Sequence, residues 1–396
     1  MQPVLEHNII NVIQWSEQMK IATKVVRSGQ SPDPSTGAIT TPIYQTSTYV
    51  LEAVGKDKGF DYSRCNTPTK KVLEKLLAEL ESGKEATAFS SGLAAVDALM
   101  HTLEKGDHVL AFDDLYGGTN RIFKQIFSKN GIEFDFIDMS EEKDIRHHLK
   151  ENTKMVFVET PTNPMLKMVD IKMVSRMIAG KNIKLVVDNT FMTPYFQRPL
   201  EIGADIVVHS LTKFLSGHND VIGGAVIAND DKVNEDMKYM VKTIGATLGP
   251  LDSWLTIRGI KTLVLRMKCI DENSIKIARL LDEHPRVKSV IYPGLPSHPQ
   301  YELAKRQMSG FGGMITFELK GGYDAVVKCV ESLRIWSFAE SLGGVESLIT
   351  HPVSMTHASL SEEERKKLGI SDGLLRLSIG IEDVDDLLED LEQAIG

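Results

Sequence analysis

Three segments of this sequence end an apolar run with polar groups suited to one kind of small molecule. The first is Ser90-Ser91-Gly92-Leu93-Ala94-Ala95, which follows the run Ala86–Phe89 and opens a helical pattern. Backbone N–H groups at a helix start are unpaired and the dipole there favours an anion, so a phosphate fits. Taken alone, a plain N-cap by Ser90 or Ser91 is the simpler account. The second is Leu185-Val186-Val187-Asp188-Asn189-Thr190. A carboxylate ending an apolar strand would keep a pyridine ring nitrogen protonated and make the ring a better electron sink. A turn or helix cap by Asp188 competes evenly with that role. The third, Ile206 through Phe214, sets Lys213 after two hydroxyl residues, Ser210 and Thr212. An amine near a phosphate and a pyridinium can have its pKa moved enough to act as nucleophile and then as base. Ser210 and Thr212 are placed to donate to the same phosphate. A lone lysine is usually a solvated surface charge, but Lys213 stands 25 residues after Asp188 in an apolar, glycine-bearing segment. The combination is far more specific than any one part. No Walker lysine and no G-x-G-x-x-G is present, so a nucleotide site is not supported.

Groups at strand ends need a sheet to hold them. Seven short runs read as strands: Ala86–Phe89, His108–Phe112, Glu133–Ile137, Lys154–Val158, Lys184–Val187, Asp205–Val208 and Gly223–Ile227. Several are apolar throughout, as in strands covered on both faces. Helical patterns separate them, which predicts a mainly parallel sheet with right-handed crossovers and helices on both faces. Ligands of such a sheet sit beyond the strands' carboxyl ends. Residues 27 to 60, rich in Gly, Pro, Ser and Thr, read as an extended arm. After Gly249-Pro250 a helical pattern runs from Asp252 to Arg266, interrupted at Gly259. It leads into a smaller α+β domain with strand-like runs Val287–Tyr292 and Gly313–Glu318. An amphipathic helix from Asp383 to Ile395 ends the chain. The charge cluster Ser361–Lys367 reads as a solvated helix face.

The bulk properties fit this picture. At 396 residues the chain is too long for one simple core, so two domains are expected. A net charge of −9 argues against nucleic-acid partners and basic membrane patches. The three cysteines, Cys65, Cys269 and Cys329, make no metal-ligand spacing and suggest a reducing compartment. The first 22 residues lack a basic n-region and read as a partly amphipathic arm, and no stretch is long enough to span a bilayer. A cytoplasmic enzyme is the expectation.

The segment DNTFMTPYFQRPLEIGADIVVHSLTKFLSGHND, from Asp188 to Asp220, resembles the signature of the transsulfuration branch of fold-type-I, aspartate-aminotransferase-like pyridoxal-phosphate enzymes. The resemblance runs from Thr41-Pro42 to the C-terminal helix. It implies pyridoxal 5′-phosphate as cofactor, a Schiff base on Lys213, and Asp188 on the ring nitrogen. It implies that Gly92, Leu93, Ser210 and Thr212 bind the phosphate. Tyr116 would stack on the ring and exchange protons with departing sulfur, and Asn163 would lie beside the ring hydroxyl. Arg376 would hold the substrate α-carboxylate, for which a bidentate guanidinium is suited. Tyr62 and Arg64 would reach the phosphate of a neighbouring subunit, in a homotetramer of dimers that share their sites. The implied layout is an arm at 1–62, a cofactor domain at 63–257 and a C-terminal domain at 258–396. The sequence departs from the family's Tyr-Ser-Arg-x-Gly-Asn-Pro-Thr at YSRCNTPT, where Asn66 takes the glycine position and Thr67 the asparagine position. Phe214 and Asn219 stand where the family often has Tyr and Ser.

Within the family, Lys213 would remove the α-proton and carry protons between Cα and Cβ. Gly118 stands where methionine γ-lyases are similar to one another in carrying cysteine. Glu340, with Ser341 in the substrate pocket, matches an acid shared by cystathionine γ-lyases and γ-synthases, where it could meet a distal amino group. YGGTNRIF and MTHASL lean toward the lyase, and ITHPVSMTHA leans toward bacterial synthases. The expectation is a cystathionine γ-lyase, with cystathionine γ-synthase second and a non-catalytic cofactor-binding protein third.

Overall fold

A computed structural model describes residues 19–358 and 360–396. Most of the amphipathic arm expected in the first 22 residues lies outside them.

All seven apolar runs are strands: β1 (Glu85–Phe89), β2 (His108–Phe112), β3 (Glu133–Ile137), β4 (Thr153–Glu159), β5 (Lys184–Asp188), β6 (Ile206–Ser210) and β7 (Gly224–Ala228). They form one sheet in the order β1-β7-β6-β5-β4-β2-β3. Strands β2 to β6 run parallel, and β7 is antiparallel to both its neighbours, β1 and β6. Alternate side chains serve two separate cores. Val207 and Ile227 pack with Leu73, Leu76 and Leu77 of the helix Pro68–Glu81. Ile206, Val208 and Val226 pack with Val96 and Leu99 of the helix Gly92–Met100. Burial on both faces is why these strands read as continuous apolar runs.

The C-terminal part forms a smaller sheet from β8 (Val287–Ile291), β9 (Met314–Leu319), β10 (Ser337–Phe338), β11 (Leu348–Thr350) and β12 (Leu374–Ser378). Their order is β10-β11-β12-β9-β8. The terminal helix Val384–Ile395 buries Leu387, Leu391 and Ile395 against this unit. The helix Glu362–Leu368 buries none of its residues, as its charge cluster predicts, and Ser361 and Glu364 form its capping box.

Gly259 does not break a helix. Two helices, Pro250–Ile260 and Leu263–Glu283, are divided at Lys261-Thr262. Gly259 lies inside the first, where a Cβ would stand 2.1 Å from the Ser216 carbonyl oxygen. Glycine is needed there because the turn following Lys213 presses on the helix. Arg266 of the second helix grips the same turn. Its Nη1 donates to the Phe214 carbonyl at 2.8 Å, and its Nη2 donates to those of Leu215 at 3.3 Å and Gly259 at 3.0 Å. Substituting Gly259→Ala is therefore expected to cost about 1–3 kcal/mol by overpacking. The denaturant midpoint checks this, and an unchanged midpoint would show that the contact is not tight.

Candidate active site

The parallel pairing of β4, β5 and β6 brings their carboxyl ends to one crevice, where Glu159 pairs with Asp188 and Asp188 with Val208. The helix Gly92–Met100 starts beside them, and a Cβ on Gly92 would lie 3.1 Å from that of Ser210. The C-terminal unit closes the far side with Glu340, Ser341 and Arg376, leaving about 300 Å³ of cavity. Eleven expected site residues line it: Gly92, Leu93, Tyr116, Asn163, Asp188, Ser210, Thr212, Lys213, Glu340, Ser341 and Arg376. Tyr62 and Arg64 do not. They lie exposed elsewhere, with the Arg64 guanidinium 5.4 Å over the Tyr62 ring and its Nη1 donating to the Lys242 carbonyl at 2.6 Å.

Two cations face each other in this cavity. Arg376, 1% exposed, projects from the middle of β12. Its Nη1 donates to Asn163 Oδ1 at 2.8 Å, and its Nη2 to the Ser341 carbonyl at 2.8 Å and Thr350 Oγ1 at 3.2 Å. Its Nε is buried without a partner, and no carboxylate of the described residues forms an ion pair with it. A buried guanidinium held only by neutral groups is a receptor for an anion. Lys213 Nζ donates to Ser341 Oγ at 2.8 Å. Burial, then the charge of Arg376, pull the Lys213 amine down to about 8, against a smaller opposing effect of Glu340. Ser341 makes both contacts from a left-handed backbone conformation, φ +85°, unusual for a residue with a side chain.

Two acids share the floor. Asp188 accepts from the Thr190 N–H at 3.0 Å, and burial raises its pKa. Burial, and then the neighbouring Asp188, push Glu159 well above the usual carboxylate range. Glu159 Oε2 also accepts from the Tyr116 N–H at 2.9 Å, which fixes the start of the helix Gly117–Ile122 and with it the Tyr116 ring. That ring leaves no room at position 118, where a Cβ would come within 2.5 Å of Tyr116 Cε1.

Some residues serve differently from their sequence reading, and others went unread. Ser91 is the helix N-cap, accepting from the Ala94 N–H at 3.0 Å. Thr212 lines the cavity, yet its hydroxyl already accepts from the Gly223 N–H at 3.0 Å. Glu159, Thr190 and Thr356 were not expected in the site. Glu159 had the same signal as Asp188, an acid ending an apolar strand, and lies in the tract Glu159-Thr160-Pro161-Thr162-Asn163-Pro164.

Residues 22–396 match the family described as Cys/Met metabolism PLP-dependent enzyme. The chain belongs to that family. It is 48% identical over 382 residues to a cystathionine beta-lyase of Coxiella burnetii, covering 96% of this chain and 99% of that one. A cystathionine gamma-synthase of Mycobacterium bovis is 46% identical over 377 residues, 95% of this chain and 96% of the relative. The solved cystathionine gamma-lyase from Lactobacillus plantarum, complexed with L-serine, superposes with a TM-score of 0.93 at 41% identity, covering 95% and 98% of the two chains. The fold is thus that of fold-type-I enzymes, and the cofactor is pyridoxal phosphate. The residues present fit it. A helix N-terminus with a glycine at closest approach suits its phosphate, and a strand-end acid with no ion pair among the described residues suits its ring nitrogen.

The amine makes a pH-dependent expectation. Reaction of the apo-protein's Lys213 with an amine-directed reagent should rise through about pH 8, not near the ordinary lysine value of 10.5. Because Arg376 lowers this pKa, Arg376→Met should move the midpoint up. Because Glu340 raises it, Glu340→Gln should move it down. Midpoints unmoved by both variants would show that the charges do not control the amine.

Proposed function

We propose that this enzyme is a cystathionine γ-lyase, cleaving L-cystathionine to L-cysteine, 2-oxobutanoate and ammonia. The observation that carries the reading is Glu340, a carboxylate at the cavity rim beside the Lys213 amine and the Arg376 guanidinium. Cystathionine has an amino-acid group at each end, so a binding cation within and an acid at the mouth match its length and charge.

The bound cofactor supplies an aldehyde carbon for the substrate amine and a pyridinium that withdraws charge from Cα. Lys213 and Asp188 would hold it at the aldehyde and ring nitrogen, with Gly92, Leu93, Ser210 and Thr212 about its phosphate and Asn163 beside its hydroxyl. Arg376 takes the substrate α-carboxylate, replacing neutral acceptors with an anion. Lys213, whose amine is freed as pH rises through about 8 and which is held by Ser341, would take the Cα proton, deliver it to the carbon that the cofactor contributes, and only then take one from Cβ. The Tyr116 phenol, at the open side of the cavity, gives a proton to the departing sulfur. Glu340 holds the distal ammonium and so selects the γ-linked substrate.

The site would be completed in a dimer by Tyr62 and Arg64 of a second copy, and dimers would pair into a cytoplasmic homotetramer. Exposed Ile39, Val50, Val54 and Tyr62 on the arm support a second copy as the occupant of that face. A synthase reading, joining an acylated homoserine to cysteine, is favoured by the tract Ile349-Thr350-His351-Pro352-Val353-Ser354-Met355-Thr356-His357-Ala358.

Product analysis tests these readings. The enzyme given cystathionine alone should form 2-oxobutanoate; pyruvate would mark β-elimination. Faster cystathionine formation from acylated homoserine and cysteine than breakdown would establish the synthase. Glu340→Ala should lower kcat/KM for cystathionine about tenfold or more, the value of one hydrogen bond to a charged group, while sparing a substrate without a distal amine.

A further inference from the structure

The loop bearing Tyr62 and Arg64 is also where the chain departs from its family pattern, and it rests on a buried polar network outside the active site. Lys70, 1% exposed, lies in the first turn of the helix Pro68–Glu81. Its Nζ donates to the Cys65 carbonyl at 3.1 Å and to Thr247 Oγ1 at 2.9 Å, and lies 3.8 Å from Glu74 Oε1. Glu74 accepts from two sides, the Ala88 N–H of β1 at 3.0 Å and Asn66 Nδ2 at 3.0 Å. The segment that Lys70 reaches is itself fixed to β1. Ser90 N–H donates to the Ala246 carbonyl at 2.9 Å, and Phe89 bridges Thr247. The loop 62–66 is thus tied twice to the end of β1, through Lys70 to Thr247 and through Asn66 and Glu74 to Ala88. β1 leads directly into the Ser91-Gly92 phosphate cradle.

This arrangement costs more than packing requires. Burying an ammonium and a carboxylate carries a desolvation penalty that an apolar pair of the same volume avoids, and what such a pair adds is a defined geometry. The geometry defined here is that of an exposed loop relative to a strand. Asn66 contributes a tether that the family's glycine, having no side chain, cannot make. Thr67 in the asparagine position still caps the helix, accepting from the Lys70 N–H at 3.1 Å.

We infer that Lys70, with Glu74 and Asn66, is a positioning residue that presents Tyr62 and Arg64 to the phosphate site of a second copy, so that it acts on the partner's pocket and not on its own. The inference rests on the shared-site reading above. Phe89 and Ser90, which lead into the cradle of the same chain, are held to residues 246 and 247 by backbone bonds that do not use the Lys70 side chain, so the effect is expected across the interface.

Hybrid dimers purified through two affinity tags test the direction of action. Lys213→Ala leaves one pocket without its anchoring amine, so the visible absorbance of lysine-linked cofactor comes from the other pocket alone. The readout is the rate at which that absorbance decays in excess cofactor scavenger. Lys70→Met placed in the Lys213→Ala chain alters the loop that serves the live pocket, and cofactor loss should quicken about tenfold, the scale of one charge-assisted hydrogen bond. Lys70→Met placed in the live chain should match the hybrid carrying Lys213→Ala alone. Lys70→Arg should restore the slow rate, and Asn66→Gly should reproduce a smaller effect with the same asymmetry if the Lys70→Met chain does not fold. Equal effects in the two arrangements, an effect confined to the live chain, or none would overturn the inference. Arg64→Ala in the Lys213→Ala chain is the control. If it quickens loss and Lys70→Met does not, only this inference fails. If it changes nothing, or if the wild-type chain sediments as a monomer that keeps its cofactor, the shared-site reading fails and this inference with it.

Discussion

Parallel hydrogen bonding between β4, β5 and β6 is the constraint from which the site follows. Parallel strands end on the same side, so the residues that finish them face one crevice together. Glu159 and Asp188 are direct partners in the ladder, and β6 ends at Ser210 beside them. The turn beyond β6 must then place Lys213 over the same crevice. Gly259 lets a helix press against that turn, and Arg266 clamps its carbonyl groups. The amine's freedom is thereby confined to its side chain, while the backbone beneath it is fixed from two directions.

Charge in the crevice is arranged for a ligand. Arg376 donates to neutral acceptors only, Asp188 makes no ion pair among the described residues, and Lys213 donates to a hydroxyl. A charge in a low-dielectric crevice without an ion-pair partner at hydrogen-bond distance is costly. A zwitterionic amino acid and a phosphorylated pyridine, bound as proposed, would bring partner charges, so that binding would relieve unfavourable desolvation as well as make contacts. Burial, and then the charge of Asp188, raise the pKa of Glu159 well above the usual carboxylate range. Its carboxyl accepts from the Tyr116 N–H and so anchors that backbone.

The larger sheet was legible because its strands are buried on both faces and flanked by helices, which leaves apolar runs in the sequence. Asp188 was legible because it directly follows such a run, and Lys213 because it follows the hydroxyl pair Ser210 and Thr212 shortly after another. The roles implied for Tyr116, Asn163, Glu340 and Arg376 came only from the family resemblance; nothing local marks Arg376 within its strand. β10 and β11, two and three residues long, are too short to carry a period. Arg266 sits in an ordinary helical pattern, and its value depends on a turn some fifty residues earlier. Gly259 was misread as a break because a glycine chosen for close approach and one chosen to end a helix look alike in sequence. The departure at Asn66-Thr67 was visible at once, but its meaning needed Glu74 and Lys70 in place.

Lys213 is the residue proposed to bind the cofactor covalently. Borohydride reduction of the holoenzyme, followed by proteolysis and mass mapping of the peptides, tests this directly. The account predicts one modified peptide, carrying the reduced pyridoxyl group on Lys213, and none in Lys213→Ala. Modification at another lysine, or an unmodified Lys213 in a protein that holds stoichiometric cofactor, would contradict it.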